Sequence, residues 1–174
     1  MQAAKMAIFL SLAVATALGS WYLRVRIPER QWRRPHEAGR ASMSRGQFGE
    51  AEREFATAVE LAKALGENDP REALSLYHQA DALVAQNRFD DAIPLFERAL
   101  AIDEKALGPD HPDVAPVLEH YAVPLRRTGR TAQAEAAEDR CRVIRARTAR
   151  GRKRGLDRKW RPEGESRAAQ SGDG

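Results

Sequence analysis

Apolar residues recur at steps of three, four and seven through the middle of the chain, the spacing that places them on one face of an α-helix. The clearest run spans residues 89–107, and its apolar face consists of Phe89, Ala92, Phe96, Ala99, Leu100 and Leu107. Gly108 and Pro109 end this helix, since glycine accepts a left-handed cap and proline cannot continue the backbone hydrogen bonds. We expect Asp110 to cap the helix that follows and Pro112 to lie in its first turn.

The pattern predicts further helices on either side of this one, and short stretches return at a nearly constant interval. The helices cover residues 36–45, 48–65, 71–86 and 113–127, and the periodicity continues to residue 147. Ala-Leu-Gly occurs at residues 64–66 and again at 106–108, which is 42 residues later. A fixed period is typical of a stacked array, in which each helix pair buries its apolar face against its neighbours. We therefore predict an all-α fold, a short α-solenoid of about three helix pairs over residues 36–147.

The stretch Ala-Leu-Gly-Pro-Asp-His-Pro-Asp-Val-Ala at residues 106–115 resembles the linker of the tetratricopeptide repeat, in the longer form found in kinesin light chains. The Gly/Asn-x-Phe-x-x-Ala start of the second helix also matches this family, at Gly46 and at Asn87. The resemblance covers residues 36–147 and implies helix pairs that stack into a curved rod. Small residues are expected where the two helices of a pair approach closely, at Gly39, Ala80 and Ala122.

The third unit departs from the pattern of the first two. Glu138 stands where Phe55 and Phe96 stand in the earlier units. Arg142 likewise replaces an apolar residue. A polar outer face is expected of a terminal unit that meets water, and contact with a partner protein at this face is the alternative.

Residues 1–27 form a separate N-terminal segment, in which residues 6–23 are mostly apolar and carry no charge. At about 1.5 Å per residue this stretch reaches about 27 Å as a helix, close to the ~30 Å of a hydrocarbon core. Trp21 and Tyr22 at its end suit the lipid–water boundary. Three interpretations remain open: an uncleaved membrane anchor, a signal peptide cleaved after the Ala-Thr-Ala sequence at residues 15–17, and a buried helix of a globular domain.

The distribution of arginines predicts the orientation of such an anchor in the membrane. Five of them follow the apolar stretch, whereas only Lys5 and the terminal amine precede it. The positive-inside tendency then places residues 24–174 on the cytoplasmic side, while cleavage would leave an exported or periplasmic protein. Residues 28–35 are a polar connector, and its Trp32 lies either at the membrane surface or over the end of the first helix pair.

The net charge of +4 is unevenly distributed along the chain. Residues 1–36 carry +5, residues 37–145 carry −6, and residues 146–174 carry +5. Residues 148–174 have too little apolar area to offset chain entropy, so we predict a disordered basic tail. Its run of basic residues at 150–154 suits a solubilising tail, with anionic lipid or nucleic acid as alternative partners.

The sequence contains no pattern typical of an enzyme. We find no Gly-rich phosphate loop, no paired cysteine ligands and no nucleophile elbow. We therefore predict a non-enzymatic protein with no cofactor and no metal. His111, within Asp-His-Pro-Asp, belongs to the helix linker rather than to a metal site, and Cys141 is the single cysteine and cannot form an internal disulfide.

The family resemblance implies a concave face lined by the first helix of each pair. In this family an Asn often stands at one place on that face and binds the backbone of a peptide. His78 and His120, 42 residues apart, stand at that place here. Histidine also donates and accepts hydrogen bonds, in a way that depends on pH, and local packing is the alternative role. The residues expected on the concave face are Tyr77, His78, Asp81, Val84, Glu119, His120, Val123 and Arg126.

Two function classes remain. In the first, the array is a membrane-tethered scaffold that binds a peptide or protein on its concave face. In the second, it is a structural subunit that packs in a larger complex or self-associates, with no free groove. About three units is near the lower limit for a stable array, which keeps the second class open.

Overall fold

The computed structural model of the chain describes residues 30–66 and 68–159, with side chains described to residue 151. These residues form helices and no strands, as the sequence predicts. The helices are α1 (residues 30–44), α2 (Phe48–Lys63), α3 (Pro70–Ala85), α4 (Phe89–Leu107), α5 (Val114–Arg127) and α6 (Thr131–Lys159). From α2 onward each helix packs against the next one along the chain, so the helices form a solenoid.

The turn inside each helix pair has the same backbone geometry in all three pairs. Gly46, Asn87 and Gly129 have φ angles of 73°, 60° and 76°, in the left-handed region that glycine and asparagine accept. The next residue donates its N–H to the carbonyl five positions back at 2.8–2.9 Å, in the pairs Gln47–Ser42, Arg88–Leu83 and Arg130–Leu125. The period predicted from sequence is therefore a period in backbone hydrogen bonding.

The core follows the predicted apolar faces. Phe55 and Phe96 are fully buried, and so is Gly39 on α1. A Cβ atom added to Gly39 would lie 2.8 Å from the ring of Phe55. The first pair therefore packs so closely that only glycine fits there, whereas Ala80 and Ala122 take the corresponding places in the next two pairs.

The helix starts differ between the second and third pairs. Asp69 caps α3 by accepting a hydrogen bond from the N–H of Arg71 at 2.9 Å. The corresponding expectation for Asp110 is wrong. Residues 111–113 form a turn of their own, so α5 begins only at Val114, and Asp110 instead pairs with Arg147 of α6.

α1 begins before residue 36, inside the segment that we predicted to be a connector. Trp32 is only 9% exposed and packs against Ala58 and Ala62 of α2. Its Nε1–H donates a hydrogen bond to Ser75 Oγ at 2.8 Å. Trp32 therefore covers the end of the first pair, and the interpretation that places it at a membrane surface is wrong.

α6 buries one face and leaves the other to solvent. Its buried residues are Ala134, Ala137, Cys141 and Ile144. Glu138, at the place of Phe96, has a side chain that is 37% exposed, and Arg142 is more exposed still. The polar residues of the third unit thus lie on the part of α6 that no further described helix covers, as is expected of a terminal cap.

α6 also continues to Lys159, so the predicted disordered segment begins too early. Residues 148–159 contain four Arg and two Lys, which propagate a helix that has already formed, and this outweighs the cost of the two glycines there. Residues 160–174 lie outside the described part of the chain. So do residues 1–29 and with them the predicted anchor or signal. Among the described helices, none combines the length and the hydropathy that crossing a bilayer would require.

Candidate functional site

The first helices of the three pairs lie on one side of the array. The backbones of α3 and α5 approach each other closely, whereas among the described residues those of α2 and α4, and of α4 and α6, do not. α4 and α6 meet through a side-chain ion pair between Glu104 and Arg140. α1 reaches α3 through His36 and His78, whose ring centroids are 5.3 Å apart. Helices that approach more closely lie on the inner side of a curved stack. We call this side, formed by α1, α3 and α5, the inner surface.

A row of rings runs from α1 to α5 along the inner side of the array. Its two members on α1 are buried, and its members on α3 and α5 reach the surface. Neighbouring ring centroids in this row lie 4.7, 5.3, 4.9 and 5.1 Å apart. Its members, in order, are Trp32, His36, His78, Tyr77 and His120. Rings at these distances gain packing energy beyond the burial of their area. The ring row therefore joins all three helix pairs through side chains of their first helices.

The ring row ends in a polar contact between α5 and α3. His120 Nδ1 lies 2.7 Å from Asp81 Oδ1. This hydrogen bond raises the pKa of His120, because the carboxylate favours the charged imidazole. The pKa of Tyr77 is also raised, chiefly by burial and then by the nearby carboxylate of Asp81. The side chain of Asp81, engaged by the imidazole, is only 17% exposed.

The two histidines nearer α1 are in a different environment. Burial lowers the pKa of His36 to about 4, with smaller contributions from His78 and Arg40. Burial is also the main cause of the lowered pKa of His78. His36 and His78 are therefore neutral near pH 7, whereas His120 is the histidine of the row that most readily carries charge.

The structure places the eight predicted residues in two groups. Those on α3 are half-buried: Tyr77, His78, Asp81 and Val84. Those on α5 are exposed: Glu119, His120, Val123 and Arg126. Tyr77, His78, Asp81 and His120 come together in or beside the ring row. Val84 instead packs against the core, and Val123 is 46% exposed on the surface.

Glu119 and Arg126 are engaged by α6. The guanidinium of Arg126 forms two bonds of 2.7 Å to the carboxylate of Glu138. Arg145 pairs in the same two-bonded manner with Glu119. These pairs lower the pKa values of Glu119 and Glu138, since each carboxylate gains hydrogen bonds from a cation. The two pairs flank the end of the ring row and leave no net charge there.

Two residues of the site, His36 and Arg145, were not among those predicted from the sequence. His36 lies 41 residues before Tyr77, the offset that also relates Gly46 to Asn87, so extending that offset to α1 would have found it. Arg145 had no such signal. It belongs to a second helix, which reaches the inner surface because no further described helix pair covers it.

A cleft continues the inner surface at its α6 end. Its volume is about 510 Å³. Its lining residues are Pro112, Ala115, Pro116, Ile144, Arg145, Thr148 and Ala149. We call it the end cleft. A second, more open groove of about 440 Å³ lies between α1 and α2, and it is lined by Gln31, Arg34, Pro35, Ala38, Glu54, Thr57 and Leu61.

The inner surface offers contact area and hydrogen bonds rather than the parts of a catalytic site. Within residues 30–66 and 68–159, no group of His, Cys, Asp and Glu side chains is arranged to hold a metal ion. Cys141 is buried, and burial raises the pKa of its thiol, which makes it a poor nucleophile.

The tetratricopeptide repeat family matches this chain over residues 36–105 and 80–145. The tetratricopeptide repeat domain of Arabidopsis FLU superposes with a TM-score of 0.61 at 20% identity, covering 70% of this chain and 98% of that domain. A putative kinesin light chain of Podosopora anserina with nearly identical repeats gives 0.62 at 28% identity. That match covers 70% of this chain and 57% of the other, so this chain spans little more than half of it. No curated protein matches this sequence.

These matches agree with the geometry of the helix pairs and of their repeated turns. The repeats and their fold are typical of non-catalytic scaffolds for protein–protein interaction. The family match spans residues 36–145, well over half of the chain. The chain therefore belongs to the tetratricopeptide repeat family, and its repeats are similar to those of kinesin light chains.

Proposed function

We propose that this protein is a non-catalytic scaffold that binds an extended peptide, or an extended segment of a partner protein, on its inner surface. The proposal is supported by the part of the ring row that reaches the surface, Tyr77, His78 and His120, and by the His120–Asp81 contact at its end. Rings give a large apolar contact area at low cost in side-chain entropy, and a few fixed polar groups orient the ligand.

His120 is the polar group best placed for this role. Asp81 engages its Nδ1 atom, and the side chain remains 45% exposed, so Nε2 is free to meet a peptide backbone. Nε2 accepts a hydrogen bond from a backbone N–H when the ring is neutral, and it donates to a carbonyl when the ring is charged. The neutralised ion pairs at Glu119 and Arg126 flank this position without demanding a ligand of one charge.

The test is selection of peptides from a displayed random library on the immobilised full-length protein in detergent. Selected peptides are then measured against Tyr77→Ala and His120→Ala. The matched control is Lys105→Ala, an exposed change on α4 away from the inner surface. We expect Tyr77→Ala to weaken binding about tenfold or more and the control to leave it unchanged. Binding that is equal in all three variants contradicts the proposal.

We propose further that residues 6–23 tether the scaffold to a membrane, with residues 24–174 on the cytoplasmic side. The support is the uncharged apolar stretch, the aromatic pair at its end and the arginines that follow. Export after cleavage is the alternative. The mass of the mature N-terminus distinguishes them: an intact Met1 in the membrane fraction supports the tether, and a chain that begins near residue 18 rejects it.

A structural role is the second candidate, and the groove between α1 and α2 favours it. This groove is lined mainly by apolar atoms and lies at the N-terminal edge of the array, opposite the polar cap formed by α6. In this role a second copy of the chain packs into the groove. Light scattering over a range of protein concentrations tests it, since self-association makes the mass rise with concentration.

A further inference from the structure

The outer face of α1, the first described helix, is basic. Residues 30–44 contain four arginines and one acid, Glu37. All four arginines are exposed: Arg30, Arg33, Arg34 and Arg40. The opposite face of α1 is buried against the array through Trp32, His36 and Gly39. Because this buried face fixes how the helix is turned, α1 directs its arginines away from the core.

The described acids neutralise little of this charge. Arg33 lies 3.8 Å from Glu37, and the two side chains are 65% and 66% exposed, so their ion pair contributes little. The other three arginines form no ion pair with a described acid. Residues 45–145, by contrast, contain 13 Lys or Arg and 19 Asp or Glu, a net charge of −6. Within residues 30–145 the excess positive charge is therefore concentrated on α1.

The groove between α1 and α2 opens beside these arginines. Arg34 lines it, together with the half-buried apolar residues Pro35, Ala38 and Leu61. The described helices leave this groove uncovered, since none of them precedes α1. Exposed cations next to apolar groups suit the surface of a bilayer, where the cations meet headgroups and the apolar groups meet the upper part of the acyl chains.

The position of α1 in the chain places it near the proposed tether. Seven residue steps separate residue 23, the end of the uncharged apolar stretch, from Arg30. At no more than about 3.6 Å per step, α1 begins within about 25 Å of residue 23. Cations are attracted to an anionic leaflet once they lie within a Debye length of about 8 Å. The chain therefore allows α1 to reach the headgroups, and its excess positive charge favours that contact.

We propose that α1 docks by its outer face on anionic lipid headgroups of the cytoplasmic leaflet and thereby orients the array on the membrane. This inference rests on the proposed tether and adds the class of lipid and the orientation. The N-terminal edge of the array, with the groove between α1 and α2, faces the bilayer. The later helices lie farther from it, so the inner surface stays open to a peptide.

The test places the full-length protein in lipid nanodiscs of phosphatidylcholine alone or with added phosphatidylglycerol. Ser44→Cys carries a fluorophore at the end of α1 that is farther from the tether, and Ala101→Cys carries it on α4. The native Cys141 is buried and stays unlabelled. Lipids with a nitroxide on the headgroup quench a fluorophore that lies close to them. We expect strong quenching at residue 44 in anionic discs only, and weak quenching at residue 101 in both.

Charge reversal on α1 tests the cause. Arg30→Glu/Arg34→Glu is expected to lower the ratio of docked to undocked α1 about tenfold or more in anionic discs. The matched control is Arg53→Glu/Lys105→Glu, which reverses two exposed cations on α2 and α4 and should leave the quenching at residue 44 unchanged.

Four outcomes overturn the inference. Quenching at residue 44 that is equal in neutral and anionic discs, or that the α1 reversal leaves unchanged, rejects docking while the protein in the discs still supports the tether. Protein that does not remain with the discs rejects both. Equal loss in the control variant assigns the effect to overall charge. Fluorescence at residue 44 that follows the number of copies per disc rather than lipid charge assigns this face to a second copy of the chain.

Discussion

His120 Nδ1 lies 2.7 Å from Asp81 Oδ1 and thereby ties α5 to α3 on the inner surface. The other ring contacts of the row are made by neutral groups, so this is the one described place in the row where a charge bridges two helix pairs. The contact couples the packing of the array to the protonation of a residue that we place in the binding site.

The pKa of His120 is expected to lie above its ordinary value of about 6.5. Since the folded-state pKa is raised, the stabilisation from this contact is complete below about pH 6.5 and is lost as the pH rises through the folded-state pKa. Imidazole NMR signals across a pH titration measure it directly. Asp81→Asn is expected to return the pKa of His120 toward or below 6.5, and an unchanged value in that variant would show that the carboxylate is not the cause.

His36 is expected to make the fold sensitive to acid. Its pKa is lowered to about 4 in the folded protein, whereas the unfolded chain titrates near 6.5. The unfolded state therefore binds more protons between these values, so the free energy of unfolding falls as the pH drops from about 6.5 to about 4. The loss from this group amounts to about 3 kcal/mol at most. Urea unfolding followed by circular dichroism at a series of pH values measures it.

The variant that isolates this effect is His36→Phe, which keeps a ring between Trp32 and Phe55. Its pH dependence is expected to be shallower than that of the parent over the same window. Ala101→Gln, an exposed change on α4 that adds no ionisable group, serves as the control and should retain the parental slope. Identical slopes in all three proteins would assign the acid sensitivity to other groups.

Gly39→Ala is expected to destabilise the protein, although alanine forms helices better than glycine. The new Cβ would lie 2.8 Å from the ring of Phe55, which must shift inside a packed core. Overpacking costs about 1–3 kcal/mol, more than the ~0.5–1 kcal/mol gained in helix propensity. Gly49→Ala on α2 is the matched control, because its Cβ has no close neighbour, and it should be neutral or stabilising. Thermal unfolding of both variants measures the two changes in stability, and a Gly39→Ala variant as stable as the parent would contradict the prediction.

Arg98→Met is expected to cost about 3 kcal/mol, because it leaves the carboxylate of Glu72 buried without its partner. The side chain of Glu72 is 3% exposed and accepts a bond of 2.8 Å from Arg98 Nε. The double variant Glu72→Gln/Arg98→Met removes the buried charge as well and should recover much of the loss. A double variant no more stable than Arg98→Met would contradict this account.

The sequence by itself determined the helix pairs, their period and the turns between them. These features depend on local chemistry: the spacing of apolar residues, the left-handed positions at Gly46, Asn87 and Gly129, and the close approach at Gly39. It also located Tyr77, His78 and His120 on first helices, because the period assigns equivalent places in successive pairs. Patterns within single helices gave the wrong helix ends at Asp110 and in α6 beyond residue 148. The turn before α5 determines where that helix begins, and the helix that has already formed determines how far α6 continues.

Only the tertiary structure decided which side chains meet. Asp81 engages His120, and Trp32 of the first pair donates a hydrogen bond to Ser75 of the second. Arg145 of α6 pairs with Glu119 of α5. Each of these contacts joins residues at least 26 positions apart in the chain. The period places such residues on the same face of their helices. Their distances depend on how each helix packs against the next, and no pattern within a single helix contains that information.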